Sequence, residues 1–503
     1  MKVLTVRVSL CVFLCLFGLN GAHAQTTGSF KHIVLIVQEN RTPDNLFHGL
    51  LTWPGINPAN YDIATSGLAL VNGKDEVVAL TPGPLANDYD LSHAHPSFLI
   101  MYDKGKMDRA NLIPDTCEKT ATDCTSNGAG QFLSYKYVDN STHIVDPYLQ
   151  LAANYGWANQ MFQTNQGPSY PAHMFLFGGT SALTAADDAA GTFMSENPGS
   201  PTGSDYSATQ DTGCLAPSGE FNFLVTAGST TETKLINTVG TFCVTHETMA
   251  SLLNGIGVSW KYYAPAVLTN SFPNDPARKG YNSGGSIWNA PASVSPICQP
   301  DSAFAACAGA EYTSKVDLNP PDVLTDISEC KLSGVSWVIP DGRNSDHPSM
   351  NQGGGPSWVA SIVNAIGENT TCDGKGYWQD TAIIVTWDDW GGWFDHVKPP
   401  VLSGPQGDYQ MGFRVPLIFI SAFTTPAAVS DVRYDFGSVL RFVERNFKLR
   451  EGELGFADAR SDTNLGEFYD FRLGPLPFRP VAAPLKASFF LSQTGPPEPP
   501  DTD

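Results

Sequence analysis

Hydrophobic positions along this chain fall into two kinds of run. Short, nearly continuous apolar stretches occupy 32–38, 258–264, 334–339, 381–387 and 415–421, the pattern of strands buried on both faces. Longer stretches, with apolar residues recurring every three or four positions, lie at 147–162, 247–255, 356–367 and 437–447 and predict helices. Strands alternating with helices predict an α/β fold whose sheet is covered on both sides. A further apolar run, "VSLCVFLCLFGL", follows Lys2 and Arg7 and ends in "AHA" before Gln25. That layout predicts a cleaved export signal peptide over residues 1–24. No later run reaches the roughly 18 uninterrupted apolar residues of a spanning helix, so an exported chain with no stable membrane anchor is expected.

Polar residues carry the most information where strands end. In "HIVLIVQENRTPDNLF" the first apolar run passes directly into Glu39 and Asn40. Asp341 follows the run at 334–339, and Asp388 and Asp389 follow 381–387 in "TAIIVTWDDWGGWFDHV". Ligands of open α/β sheets gather beyond the carboxyl ends of strands. Any one of these groups could be a turn or a helix cap. Together Glu39, Asp388, Asp389 and Asn40 supply the oxygen-rich set that hard divalent cations prefer, and clustered carboxylates need such a countercharge. A divalent metal ion is expected; Mg, Ca, Mn and Zn all remain open.

In "TNQGPSYPAHMFLFGGTS", Ser169 precedes a short apolar helix. Its spacing suits an N-cap, and equally a hydroxyl placed to meet an incoming anion. The segment lacks the second glycine of a G-x-S-x-G elbow. His93 and His95 in "DLSHAHPSF", His347 in "PDGRNSDHPSM" and His173, four residues beyond Ser169, are the imidazoles placed for proton transfer or anion binding. His396, beside Asp395, reads as structural.

Charge and cysteine content narrow the class. Fifty acidic residues against 29 basic ones give a formal net charge of −21, which argues against nucleic acid as an electrostatically steered partner. Eight cysteines lie beyond the leader: Cys117, Cys124, Cys214, Cys243, Cys298, Cys307, Cys330 and Cys372. An even number in an exported chain predicts disulfides, with Cys117–Cys124 and Cys298–Cys307 as the expected local pairs. No linker divides the chain. One catalytic domain is expected over 25–490, with an insertion or surface excursion at 191–240 and a flexible Pro-rich tail at 491–503.

These motifs, with "YDKGKMD", "FRVPLIFIS" and "YDFGSVLRFVERNF", stand in the order seen in the bacterial phosphoesterase family, which the chain resembles over roughly residues 30 to 450. That family contains secreted phospholipases C and acid phosphatases and is similar in fold to alkaline phosphatase. The resemblance implies an alkaline-phosphatase-like mixed β-sheet flanked by helices on both faces. It implies metal ligation by Glu39, Asn40, Asp388, Asp389 and Ser169, with Ser169 the nucleophile of a phosphoserine intermediate. His93 and His347 fall where the family binds the phosphoryl group and assists the leaving group, with His95 and His173 as neighbours that meet substrate. The family's "DHTS" is replaced by Asp435-Phe436-Gly437-Ser438, so any role of that histidine is absent or has moved.

The leading expectation is an acid-phosphatase-type phosphomonoesterase; a chain that ends without the C-terminal domains common in longer phospholipases suits a compact phosphatase or a minimal phospholipase C equally. A phospholipase C is the alternative, in transient contact with lipid, for which "NLFHGLLTWPGI" could form an apolar rim. An alternative of another class is a non-catalytic carbohydrate-binding surface protein, with "WDDWGGWFDH" as a sugar-stacking platform.

Overall fold

Seven consecutive buried residues, His32–Gln38, form the central strand β1. The structure, a computed structural model, describes residues 29–493 apart from 118–123, 125–131, 200–211, 239, 267–286, 303, 305 and 405–406. Seven further strands join β1: β2 (Gly156–Phe162), β3 (Trp260–Tyr263), β4 (Val316–Asp317), β5 (Val335–Val338), β6 (Thr381–Trp387), β7 (Leu417–Ser421) and β8 (Val429–Asp435). Their order across the sheet is β4–β3–β5–β1–β6–β7–β2–β8. β1 pairs in parallel with β5 and β6, and β2 pairs in parallel with β8. Only β7 opposes its neighbours β6 and β2. The ends of β1, β2, β5, β6 and β8 therefore lie along one edge, and the loops leaving them can converge.

Four helices matter to that edge: α1 (Asp146–Asn154), α2 (Ser169–Gly178), α3 (Gly355–Glu368) and α4 (Phe436–Asn446). α1 packs with α3, and α2 with α4. Every residue of β1, β5, β6 and β7 is buried, as the continuous apolar runs predicted for a sheet covered on both faces. Trp337 of β5 donates its indole N–H to Leu176 O of α2 at 3.2 Å, which ties that helix to the sheet.

The sequence expectation fails at 147–162, read as a single helix. The helix stops at Asn154 and the chain continues as β2. β2 is buried along nearly its whole length, so its side chains show no two-residue alternation, and its apolar spacing imitates a helix. Close packing marks the switch: a Cβ added at Gly156 would sit 2.5 Å from the Phe468 ring. Two other strands of this sheet also went unpredicted. β4 is two residues long, and β8, "VSDVRYD", is a polar, half-buried strand at the end of the sheet.

Within 191–240, Thr192–Met194, Phe221–Thr226 and Glu232–Ile236 form a small antiparallel sheet with Phe221–Thr226 in the middle. The eight cysteines pair as Cys117–Cys124, Cys214–Cys243, Cys298–Cys307 and Cys330–Cys372, and the two expected local pairs are among them. The last joins residues 42 apart, a constraint on the unfolded chain of about 4 kcal/mol in the loop-entropy picture. Among the described residues no helix is long and apolar enough to cross a membrane.

A buried ion network braces the loop after β6. Arg414 donates from Nε to Asp395 Oδ1 at 2.9 Å and from Nη2 to Asp44 Oδ1 at 3.3 Å. His396 bonds Asp44 through Nδ1 at 2.8 Å and Asp62 through Nε2 at 3.0 Å. Asp44, Asp395 and His396 are close enough to hold a metal ion, but the Arg414 guanidinium already supplies the countercharge, and His396 is structural here. Burial opposes charge on His396; hydrogen bonds to Asp44 and Asp62 outweigh it and raise the imidazole to about 10. A pKa above the unfolded value of about 6.5 gives stabilisation that is complete below that pH and is lost as pH rises toward 10. Urea midpoints are expected to fall across this window, and to fall less for His396→Gln. Equal slopes would contradict the assignment.

Candidate active site

β1 ends at Gln38, and the chain turns at once through Glu39 and Asn40, both wholly buried. Asn40 adopts a left-handed backbone with φ of 62°, a conformation asparagine tolerates better than most residues. The loop after β6 closes against this turn only because Gly391 and Gly392 lack side chains. A Cβ on Gly391 would lie 2.3 Å from Asn40 O, and one on Gly392 would lie 2.4 Å from Leu91 Cβ. The "DDWGGW" sequence thus brings Asp388 and Asp389 up to Glu39 and Asn40.

Asp388 Oδ1 accepts the backbone N–H groups of Asn40 at 3.0 Å and Asp389 at 2.7 Å. Its other oxygen, Oδ2, is buried without a hydrogen-bond partner, and so is Asn40 Oδ1. Asp389 Oδ1 accepts from Gly391 N–H at 2.7 Å, leaving Oδ2 to face Ser169. Buried acceptors left without donors are costly. Unsatisfied oxygens beside three buried carboxylates fit a hard divalent cation, and this donor set bears out the expectation that buried acidic groups here could hold one.

Ser169 is the first residue of α2, with Pro168 as the N-cap, so serine is not the cap. Its Oγ lies 3.3 Å from Glu39 Oε2 and 3.2 Å from Asp389 Oδ2. One helical turn on, His173 Nε2 lies 3.1 Å from Glu39 Oε1 and 3.8 Å from Asp388 Oδ2. Burial pushes this imidazole down to about 4 despite the Asp388 charge, which leaves it neutral near pH 7. Glu39, His173 and Asp388 are close enough to share one ion, so His173, expected among groups that meet substrate, stands within the acidic set.

His93 donates from Nδ1 to Leu91 O at 2.8 Å and receives Asn40 Nδ2 on Nε2 at 3.2 Å. His347 donates from Nδ1 to Pro348 O at 2.6 Å, and its ring centroid is 6.1 Å from that of His93. The loop carrying it is fixed by its neighbour: Asp346 Oδ2 accepts from Tyr148 Oη at 2.8 Å and Trp387 Nε1 at 3.0 Å. Trp288 closes the ring of side chains, 6.2 Å from His347 and 6.5 Å from His173. His95 lies beside this group, its Nε2 3.2 Å from Gln166 Oε1 and its Nδ1 3.3 Å from Glu232 Oε1.

Groups from the ends of β1, β2 and β6 and from two separate loops thus meet around one buried point. The Phosphoesterase family profile matches residues 30–450. The chain belongs to the Phosphoesterase family. Among its relatives, Phospholipase C A of Mycobacterium tuberculosis is 32% identical over 149 residues, 25% of this chain and 28% of that protein. The non-hemolytic phospholipase C of Pseudomonas aeruginosa is 26% identical over 234 residues, 41% of this chain and 30% of that protein. The chain therefore spans only about 30% of these two relatives. Among solved structures, Ps i-CgsB in complex with k-i-k-neocarrahexaose matches at TM-score 0.37 and 9% identity, covering 87% of this chain and 75% of that one. An alkaline phosphatase superfamily protein from Vibrio parahaemolyticus matches at TM-score 0.30 and 11% identity, covering 63% and 64%. These scores carry no weight for the fold, and the α/β assignment of this phosphoesterase rests on its own sheet.

Away from the cluster, Asp341 caps the turn Gly342–Asn344, accepting Asn344 N–H, and pairs with Arg343. Asp435 and Ser438 form a capping box on α4, so "DFGS" is occupied in starting that helix. Leu46, Phe47 and Leu50 of the suggested apolar rim are buried core residues. Trp387, Trp390 and Trp393 are also buried and offer no exposed platform for a sugar ring. Sequence reasoning missed Asp346 and Trp288: Asp346 stands beside His347 in a motif read only for its histidine, and Trp288 lies outside every apolar run and motif singled out.

Proposed function

We propose that this protein is an exported, metal-dependent phosphoric ester hydrolase in which Ser169 attacks phosphorus. The observation that supports it most is the placing of Ser169 Oγ, at the start of α2, within 3.3 Å of carboxylate oxygens from the ends of two different strands. Glu39, Asn40, Asp388 and Asp389 would hold a divalent cation, with His173 in reach; bound there, it supplies charge neutralisation at the phosphoryl oxygens and a lowered pKa at the serine hydroxyl. Glu39 or Asp389 takes the Ser169 proton as Oγ bonds to phosphorus. The bond to the ester oxygen breaks, and protonated His347 gives its proton to the departing alkoxide. Water, deprotonated by the now neutral imidazole, then bonds to phosphorus as the bond to Ser169 Oγ breaks, and the Glu39 or Asp389 carboxyl returns its proton to Oγ. Asn40 and Leu91 hold the His93 ring, which orients the phosphoryl group. Positioning and electrostatics dominate phosphoryl transfer, which is why these side chains converge from distant strands.

The same steps act on a monoester or on a phosphodiester, and the leaving group separates two readings. One is a phosphomonoesterase of the acid-phosphatase type, a class that the family resemblance includes. Relatives named as phospholipases C favour a diester with a lipid alcohol as leaving group. Hydrolysis of p-nitrophenyl phosphate, p-nitrophenyl phosphorylcholine and phosphatidylcholine vesicles, with and without chelator, tests both. Chelator-sensitive turnover of any of them is expected, and the preferred ester assigns the leaving group. No turnover of all three across added divalent metals would contradict the hydrolase reading. Export accords with four disulfide pairs and with the leader-like first 24 residues.

A further inference from the structure

Two helices frame the reacting groups, and neither caps its own start. Helix His95–Tyr102 begins behind Ala94 and α2 begins behind Pro168, and neither preceding residue makes a side-chain cap. Helix starts leave several N–H groups without internal partners, and burying them unmet is costly. Here the missing acceptors arrive from elsewhere, on two adjacent residues. Glu196 Oε1 accepts the His95 N–H at 2.8 Å, and Asn197 Oδ1 accepts the Tyr170 N–H at 2.9 Å.

This dipeptide is itself held. Asn222 Nδ2, from the middle strand of the small antiparallel sheet, donates to Glu196 O at 2.7 Å. Ser195 O presses on the loop before Ser169 so closely that a Cβ on Gly167 would lie 1.9 Å away. Ser195 Oγ and His95 Nδ1 both meet Glu232 Oε1, at 2.5 and 3.3 Å. Glu196 and Asn222 are buried. Tyr170 follows Ser169, and His95 lies two residues past His93.

We propose that Glu196 and Asn197 are positioning residues: one dipeptide caps both helix starts and so fixes Ser169 and His93 relative to each other. This rests on the hydrolase reading above. The small sheet at 192–236 then belongs to the catalytic unit, because its edge segment sets the geometry of the reaction. A misplacement of about 1 Å costs roughly a hundredfold in rate, whereas an ordinary helix cap leaves rate alone once the protein is folded.

The test compares Asn197→Ala and Glu196→Ala with Asn197→Asp and Glu196→Gln, which keep an acceptor oxygen, in the full-length protein well below its melting temperature. For p-nitrophenyl phosphate the alanine variants are expected to lose about ten- to a hundredfold in kcat with little change in KM. The acceptor-keeping substitutions Asn197→Asp and Glu196→Gln should retain most of the wild-type rate. Hydrogen exchange in peptides spanning His95 and Tyr170 should rise in the alanine variants. Wild-type kcat in both alanine variants, or an equal loss in Asn197→Asp and Glu196→Gln, would overturn the proposal. If wild type and Ser169→Ala alike hydrolyse nothing, the hydrolase reading fails on its own account. Exchange still decides the caps: unchanged protection at both helix starts overturns them, and lost protection supports them.

Discussion

Replacing Ser169 with alanine is expected to lower hydrolysis of the preferred ester at least a thousandfold, leaving only what the remaining electrostatics provide. The side chain is small and its Oγ faces Glu39 and Asp389, so the substitution removes one hydroxyl with little loss of packing. Pro168 rather than Ser169 occupies the N-cap, so no helix cap is lost either. The melting temperature should therefore change little, which thermal unfolding of both proteins checks. Wild-type turnover in Ser169→Ala would remove the serine from the chemistry while leaving the acidic cluster to be explained.

The second large effect concerns the cation. Glu39→Gln and Asp388→Asn are expected to lose bound divalent metal, measured by elemental analysis, and about a hundredfold or more in turnover. Stability supplies a readout independent of activity. Metal added at a hundred times its dissociation constant should stabilise wild type by about 3 kcal/mol and the variants much less. Without metal the order should change, because Asp388→Asn relieves repulsion among Glu39, Asp388 and Asp389 in a buried site. Metal-free Asp388→Asn melting above metal-free wild type is the expected result. A wild-type melting curve indifferent to chelator and to every added divalent ion would count against the site.

Much of this site was legible because the strands that carry it are buried on both faces. β1 and β6 read as continuous apolar runs, so the abrupt polar groups at their ends, Glu39 with Asn40 and Asp388 with Asp389, stood out. The two glycines after Asp389 were visible in sequence, but their reason was not: the close approach to Asn40 O and Leu91 is a fact of packing between distant loops. β2 was lost because Asn159 and Gln160 interrupt it, so it reads neither as a continuous apolar run nor as an alternating strand. Ser169 was ambiguous between cap and nucleophile because both uses want a serine at a helix start; the N-cap proves to be Pro168, which removes the first use. Glu196 and Asn197 left no local signal. Glu196 meets His95 across 101 residues and Asn197 meets Tyr170 across 27, and both act through helix starts whose own caps are missing.

The most direct test of Ser169 as the nucleophile is to quench the protein in acid during turnover of its preferred ester and map phosphorylated peptides by mass spectrometry. A phosphoryl adduct on Ser169, absent from Ser169→Ala and from protein without ester, is the predicted result. Steady turnover with no adduct on Ser169 at any quench time, in a protein whose Ser169→Ala variant remains active, would contradict it.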